Sequence, residues 1–263
     1  MARCQSPHPE FANYTAATGF NCDGTDQCWV DEVGNFGTEA EPECFCVFHA
    51  PAERDPFDRD DWPMARRPAL QAQRLLAYLE QWQARVTHGE ERLAFVLPEL
   101  KCGAVDFRRT VFPGPMVLSG AHFSGSCNLR SAVFHGDVKL SWTTFHKDAD
   151  FHSARLQGAA LFLQAEFKGV AGFDSAHFDG VADFALCRFH READFESADF
   201  AGDADFEGAQ FMGRVGFGTA RFAALAAFEA AEFAANADFR GTRFGRDASF
   251  HGVRFGGNAC FRT

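Results

Sequence analysis

This chain of 263 residues has no apolar run close to the roughly 18 residues that a membrane-spanning helix needs, and no basic leader followed by an apolar stretch. Those absences predict a soluble cytoplasmic protein with no membrane anchor. Also missing are a Ser/His/Asp set, a glycine-rich phosphate loop and paired carboxylates in a recognisable cleft, which argues against an enzyme. Tyr is nearly absent at two residues, whereas Phe reaches 32, and the placement of those Phe carries most of the information.

From Phe107 to Phe261 a large apolar residue recurs at alternating steps of five and six, giving 29 positions, 25 of them Phe and four Leu (Leu118, Leu129, Leu140, Leu156). Two residues before each lies a second regular place that holds 19 Ala, four Val, three Thr, two Cys and one Met. Neither place ever holds a large polar side chain, so both point inward. A helix does not fit, because such steps rotate the side chain by about 500° and 600° in turn. An ordinary antiparallel strand does not fit either, since the alternation of period two breaks at every step. A coil of very short strands remains, each giving one small and one large inward residue before a corner.

The corners differ with step length. In the six-residue steps the second residue after the ring is Gly at nine of fourteen places, Gly114 and Gly257 among them, and a positive φ is expected there. In the five-residue steps that place is Ser or Gly at eight positions, such as Ser131 and Gly208.

Stretches such as Ala193-Asp194-Phe195-Glu196-Ser197-Ala198-Asp199-Phe200 resemble the pentapeptide-repeat family, whose unit is written A(D/N)(L/F)xx. The resemblance covers about 155 residues, with Phe in place of Leu and an extra residue in every second unit. It implies a mainly β fold, a right-handed quadrilateral β-helix with 5 + 6 + 5 + 6 = 22 residues per turn and about seven turns. At roughly 4.8 Å between stacked strands the rod would be about 34 Å long.

Three regions are expected: a Cys/His-rich segment at 1–54, a linker and capping helix at 55–100, and the β-helix at 101–263. In the middle region Leu75, Leu76, Leu79, Trp82 and Val86 recur at helical spacing between Pro68 and Thr87. This helix, with Phe95, Val96 and Leu97, would cover the open end of the coil.

The first region holds Cys4, Cys22, Cys28, Cys44 and Cys46, and ends on Cys46-Val47-Phe48-His49. Cys-x-x-His lets two ligands reach one Zn²⁺ from a tight turn, and a closed four-ligand site would be structural. The expected set is Cys4, Cys28, Cys46 and His49, with Cys22 and Cys44 as substitutes. Disulfides and free buried thiols are the alternatives, the former disfavoured by the lack of an export signal. Within the rod, Cys127 and Cys187 occupy the small inward place and read as packing residues, while Cys260 falls at an outward one. None of the seven rod His falls in an inward place.

The net charge of −11 divides into −9 over residues 1–100 and −2 over residues 101–263. Inside the rod, residues 174–207 carry a local −8, and residues 240–262 carry five Arg against Asp247. The reading that follows is a non-enzymatic protein-interaction scaffold with Asp150, Asp183, Asp194, Asp199 and Asp205 as partner surface. Some members of the family resemble duplex DNA and bind type II topoisomerases such as gyrase, which gives the alternative of a DNA mimic acting through the acidic mid-rod surface. A metal- or redox-responsive regulator working through the Cys/His segment is the second alternative. Direct nucleic-acid binding by base stacking is disfavoured because no Phe of the repeats points outward. At the far end Phe250, Phe255 and Phe261 would be left uncovered, so a homodimer joined end to end is expected.

Overall fold

Alternating inward and outward residues make an extended strand only a few residues long before each corner, and the chain can pair such strands only by coiling onto itself. A computed structural model describes residues 34–38, 41–45, 79, 95–97 and 100–262. From residue 95 onward it is a parallel β-solenoid of about 22 residues per turn with four sheets, one per side. The first face runs from Phe95–Val96 to Ala248–Ser249, the second from Lys101–Cys102 to Arg254–Phe255, and the third from Val105–Asp106 to Ala259–Cys260, each with eight strands. The fourth, from Val111–Phe112 to Arg243–Phe244, has seven. Every strand pairs with the one a turn away, so that Ala182 lies opposite Ala204 and Asp183 opposite Asp205.

From Phe112 to Phe239 both inward places are buried as the spacing requires, with Phe173, Phe184, Phe195 and Phe206 fully so. Ring centroids of successive turns lie 4.6–5.3 Å apart, and their planes are nearly parallel, as in Phe178–Phe200 at 2°. That separation is the strand spacing itself, carried inward from the backbone ladder. Across the core the columns meet edge to face, Phe184 against Phe195 at 5.4 Å and 85°. Such pairs add about 0.5–1.5 kcal/mol each beyond the area they bury. Two of the three Thr in the small inward place bond to carbonyls: Thr143 Oγ1 donates to Leu118 O at 3.1 Å, and Thr242 Oγ1 to Phe217 O at 2.7 Å.

The corners overturn the expected glycine chemistry. Positive φ occurs at the five-residue corners, every eleventh residue from Arg109 to Gly252, where the occupants include Trp142 (φ 58°), Gln164 (φ 57°) and Leu186 (φ 57°). The glycines of the six-residue corners are needed for a different reason. A Cβ on Gly202 would sit 2.3 Å from Gly180 O, and one on Gly169 would sit 2.3 Å from the Lys147 carbonyl carbon. At eight of the fourteen six-residue corners a Cβ on the glycine would lie 2.3–2.6 Å from the turn below, so a bare Cα is needed there, whereas Lys147, Arg191, Ala224, Ala235 and Arg246 occupy the same place at five others.

Leu79 is helical and buried in the same core as Phe95, Leu97 and Leu100. The rest of the expected capping helix lies outside the described residues. Residues Gly34–Thr38 and Glu41–Phe45 pair as an antiparallel hairpin, with Cys44 opposite Asn35. At the other end Phe250 is half-buried, while Phe255 and Phe261 are 39% and 53% exposed.

Two stability outcomes follow from this packing. Phe184→Ala should cost about 3–5 kcal/mol, because stacked neighbours cannot close the void, whereas Phe261→Ala should cost less than about 1 kcal/mol; urea unfolding measures both. Gly202→Ala should cost about 1–3 kcal/mol, while Leu186→Gly should be neutral or stabilise by up to ~1 kcal/mol, since it relieves a left-handed side chain. Equal losses from both glycine exchanges would contradict the division of the two corner types.

Candidate interaction surface

With both inward places committed to the core, chemistry is left to the outward residues, which the ladder holds in columns 22 residues apart. Asp183 and Asp205 stand side by side on the first face. Asp150 and Asp194 lie on the third, two turns apart with Gly172 between them, and Asp199 lies on the fourth, between His177 and Arg221.

Four of these aspartates shape the solenoid before they face any partner. Asp150 Oδ1 accepts a hydrogen bond from the His152 N–H at 2.9 Å, Asp183 Oδ1 from Ala185 at 2.9 Å, Asp194 Oδ1 from Glu196 at 2.8 Å and Asp205 Oδ1 from Glu207 at 2.8 Å. Each closes an Asx turn into a five-residue corner, which explains the Asp or Asn of the repeat unit in physical terms. Asn128 does the same for the Arg130 N–H at 3.2 Å.

Ion pairing then separates the faces. Asp150 pairs with Arg130 at 3.0 Å, and Asp199 pairs with Arg221 at 2.9 Å. Glu166 on the second face receives His190 at 2.8 Å and Lys168 at 3.4 Å. These lie 24 and two residues from Glu166, so the diagonal contact escapes a search along columns of 22. On the third face Asp106, Arg108, Arg109, Arg130, Ser131 and His152 line a cleft of about 670 Å³ in which Arg108 is held by Asp106 at 2.7 Å.

Among the described residues the first face has no such pair, and on the third Asp194 and Glu196 also have none. Asp183, Asp203, Asp205, Glu207 and Glu229 form no ion pair among the described residues. Glu229 Oε2 is buried with no hydrogen-bond partner there. Burial holds the Asp183 carboxyl above the usual carboxylate range, opposed in part by the Ala185 N–H, and neighbouring Asp205 adds to the rise. Asp194 is raised as well, chiefly by burial and then by Asp174 and Glu192. Glu229 was not singled out by the sequence reading, yet it is one turn above Glu207, and the repeat length alone would have put it in that column.

Among the expected zinc ligands, Cys4, Cys22, Cys28, Cys46 and His49 lie outside the described residues, and Cys44 is placed only by its strand. Among the described residues no group of His, Cys, Asp or Glu is arranged to hold a metal. Cys127 and Cys187 are buried packing residues, as their inward place predicts, and Cys260 is half-exposed. Burial pushes the thiol of Cys102 up to about 12, and those of Cys127 and Cys187 are raised for the same reason, so all three are poor nucleophiles. Among the described residues no helix is long and apolar enough to cross a membrane.

Residues 107–155, 118–166 and 173–221 match the family model described as Pentapeptide repeats (9 copies). No curated protein and no solved structure matches the chain.

Asp183→Asn provides a test of this electrostatic picture. The amide oxygen still accepts the Ala185 N–H, as Asn128 does for Arg130, but the partly buried charge is gone. A raised folded pKa means that the charged form costs stability above that pKa, and that the cost fades as pH falls to the unfolded value. Asp183→Asn should therefore gain up to ~1 kcal/mol at pH 7, allowing for solvent screening, and nothing near pH 3. Urea midpoints at the two pH values measure it, and a loss at pH 7 would show the carboxylate to be stabilising.

Proposed function

We propose that this chain, which belongs to the pentapeptide-repeat family over its solenoid, is a non-enzymatic protein-interaction scaffold. The observation that carries the reading is the first face, where Asp183 opposes Asp205 and Glu207 stands one turn from Glu229, all without counterions among the described residues, while Asp150, Glu166 and Asp199 of the other faces are paired. Like charges directly opposite one another destabilise a sheet, and a face that keeps them is suited to a partner that supplies the missing cations. The rod needs no rearrangement to present them, because each outward column is fixed by the stacking beneath it.

The same face favours a second reading, a DNA mimic that occupies the duplex-binding surface of a type II topoisomerase. Two pairs of carboxylates at the strand spacing put negative charges about 4.8 Å apart, against about 3.4 Å of helix axis per charge on one strand of duplex. The five Arg between residues 240 and 262 oppose it, since a mimic needs that charge along most of its length.

Two further proposals concern the ends of the chain. Zinc held by Cys4, Cys28, Cys46 and His49 would supply the first region with a structural centre. The apolar last turn, with Phe250 half-buried and Phe255 and Phe261 exposed, would be covered by the same turn of a second copy.

Charge reversal at Glu207 and Glu229, Glu207→Lys with Glu229→Lys, tests the principal reading. Chemical cross-linking of the whole chain in its native extract should capture a protein that the double variant captures at least ~10-fold less, while reversal of Glu196 on the third face has little effect. Equal capture by all three proteins would overturn the assignment to the first face. Inhibition of gyrase supercoiling by the wild type, lost in the double variant, would favour the mimic. Native mass spectrometry of the same preparation should show a dimer and bound zinc, and a metal-free monomer at micromolar concentration would remove both end proposals.

A further inference from the structure

The edge between the first and second faces holds an arrangement that the stability of the solenoid does not require. Its corner residues, 22 apart, are Gly120, Trp142, Gln164, Leu186, Gly208, Ala230 and Gly252, and all of them have positive φ. The opposite five-residue corner uses Arg109, Ser131, Ser153, Ser175, Ser197, Thr219 and Gly241 in the same conformation. A left-handed backbone disfavours bulky side chains, so Gly or a small polar residue is the expected occupant. Trp142 and Leu186 break that expectation two turns apart, and both stand in solvent, at 58% and 49% exposure. Strain and exposed apolar area together are costs that folding does not recover, and such outliers point to a use.

Between them the side chains build a shape. The Trp142 Nε1–H donates to Gln164 Oε1, which lays the indole along the edge. Gly208 leaves room for Leu186, whose Cδ2 would lie 2.7 Å from any Cβ at that place. The result is a cleft of about 410 Å³ flanked by Trp142 and Leu186, with Thr144, Gln164 and Gln210 offering polar atoms and Glu166 and Arg188 one charge of each sign on its second-face wall. On the first-face side of the edge, Leu161 and Leu163 are outward and half-buried. The next rows along that face hold Asp183, Asp205, Glu207 and Glu229, which have no ion pairs among the described residues.

We propose that this edge docks a basic amphipathic segment of a partner protein, its apolar side chains seated between Trp142 and Leu186 and its Lys or Arg residues on Asp205, Glu207 and Glu229. An exposed Trp in a cleft is the residue type that most often dominates an interface, and its ring face also attracts a cation. Charge selects the occupant, because an anionic partner or nucleic acid would meet unpaired carboxylates. The proposal rests on the scaffold reading and narrows it to one edge and one partner chemistry.

Three labelled synthetic peptides of about 18 residues serve as probes for the full chain in 150 mM salt: an amphipathic Lys/Leu helix former, its Glu/Leu counterpart, and a Lys/Ser peptide of equal charge. Fluorescence anisotropy should show the Lys/Leu peptide binding at least ~10-fold more tightly than either of the others, the salt screening long-range attraction over about 8 Å. Trp142→Gly with Leu186→Gly should weaken it by ~10-fold or more; both exchanges relieve positive φ, so the variant stays folded, which thermal unfolding checks. Glu207→Lys with Glu229→Lys should weaken it similarly, and Glu196→Lys on the third face should not. Equal binding of the Lys/Leu and Lys/Ser peptides, or undiminished binding by the glycine double variant, overturns the proposal. So does a dimer of the protein alone that the glycine double variant abolishes, since that would assign the edge to self-association. If cross-linking in the native extract still captures a partner through other faces, the scaffold reading stands although this edge has failed.

Discussion

Every side chain of the solenoid sits on the one 22 residues before it, about 4.8 Å away, and this enforced stacking of like place on like place governs the rest. Inside, it is favourable: Phe on Phe gives parallel rings at 4.6–5.3 Å within a column and edge-to-face contacts between columns. Outside, the same rule puts Asp183 against Asp205, where the ladder offers no relief from repulsion. Core stability and surface chemistry are therefore two results of one periodicity. The buried rings hold charges in positions that an isolated strand would not keep.

Corners are where the chain chooses between stability and presentation. A six-residue corner built on Gly presses its Cα onto the turn below, and the contact at Gly202 shows why a methyl group cannot be added there. A five-residue corner has room but a demanding φ, so any side chain placed there projects from the rod at a conformational cost. Small hydroxyls fill one such edge, with Ser197 and Thr219 hydrogen-bonded at 2.8 Å. The other carries Trp142 and Leu186. The aspartates join the two concerns, because a carboxylate that closes a corner through its Oδ1 still turns its other oxygen outward.

Much of the fold was legible. Steps of five and six exclude a helix by rotation alone, and the two inward places predicted the buried residues, including the small polar Thr143, whose hydroxyl finds a carbonyl. The glycine chemistry was assigned to the wrong corner, because Gly enrichment has two causes, positive φ and close backbone approach, and composition does not separate them. Asp183 and Asp205 were legible as a column from the repeat length, whereas Glu229 needed the column to be followed one turn further. The pairing of His190 with Glu166 was hidden because it runs diagonally, and diagonals depend on which way side chains lean.

The sequence by itself determined the periodicity and the inward residues, because a ring buried at every fifth or sixth residue fits neither a helix nor an ordinary strand, and the turn length followed from the family resemblance. Tertiary structure alone decided which carboxylates keep their charge unpaired and which corner bears strain. Those properties belong to neighbours 20 to 25 residues apart, and it is the stacking of turns that brings them within reach of each other.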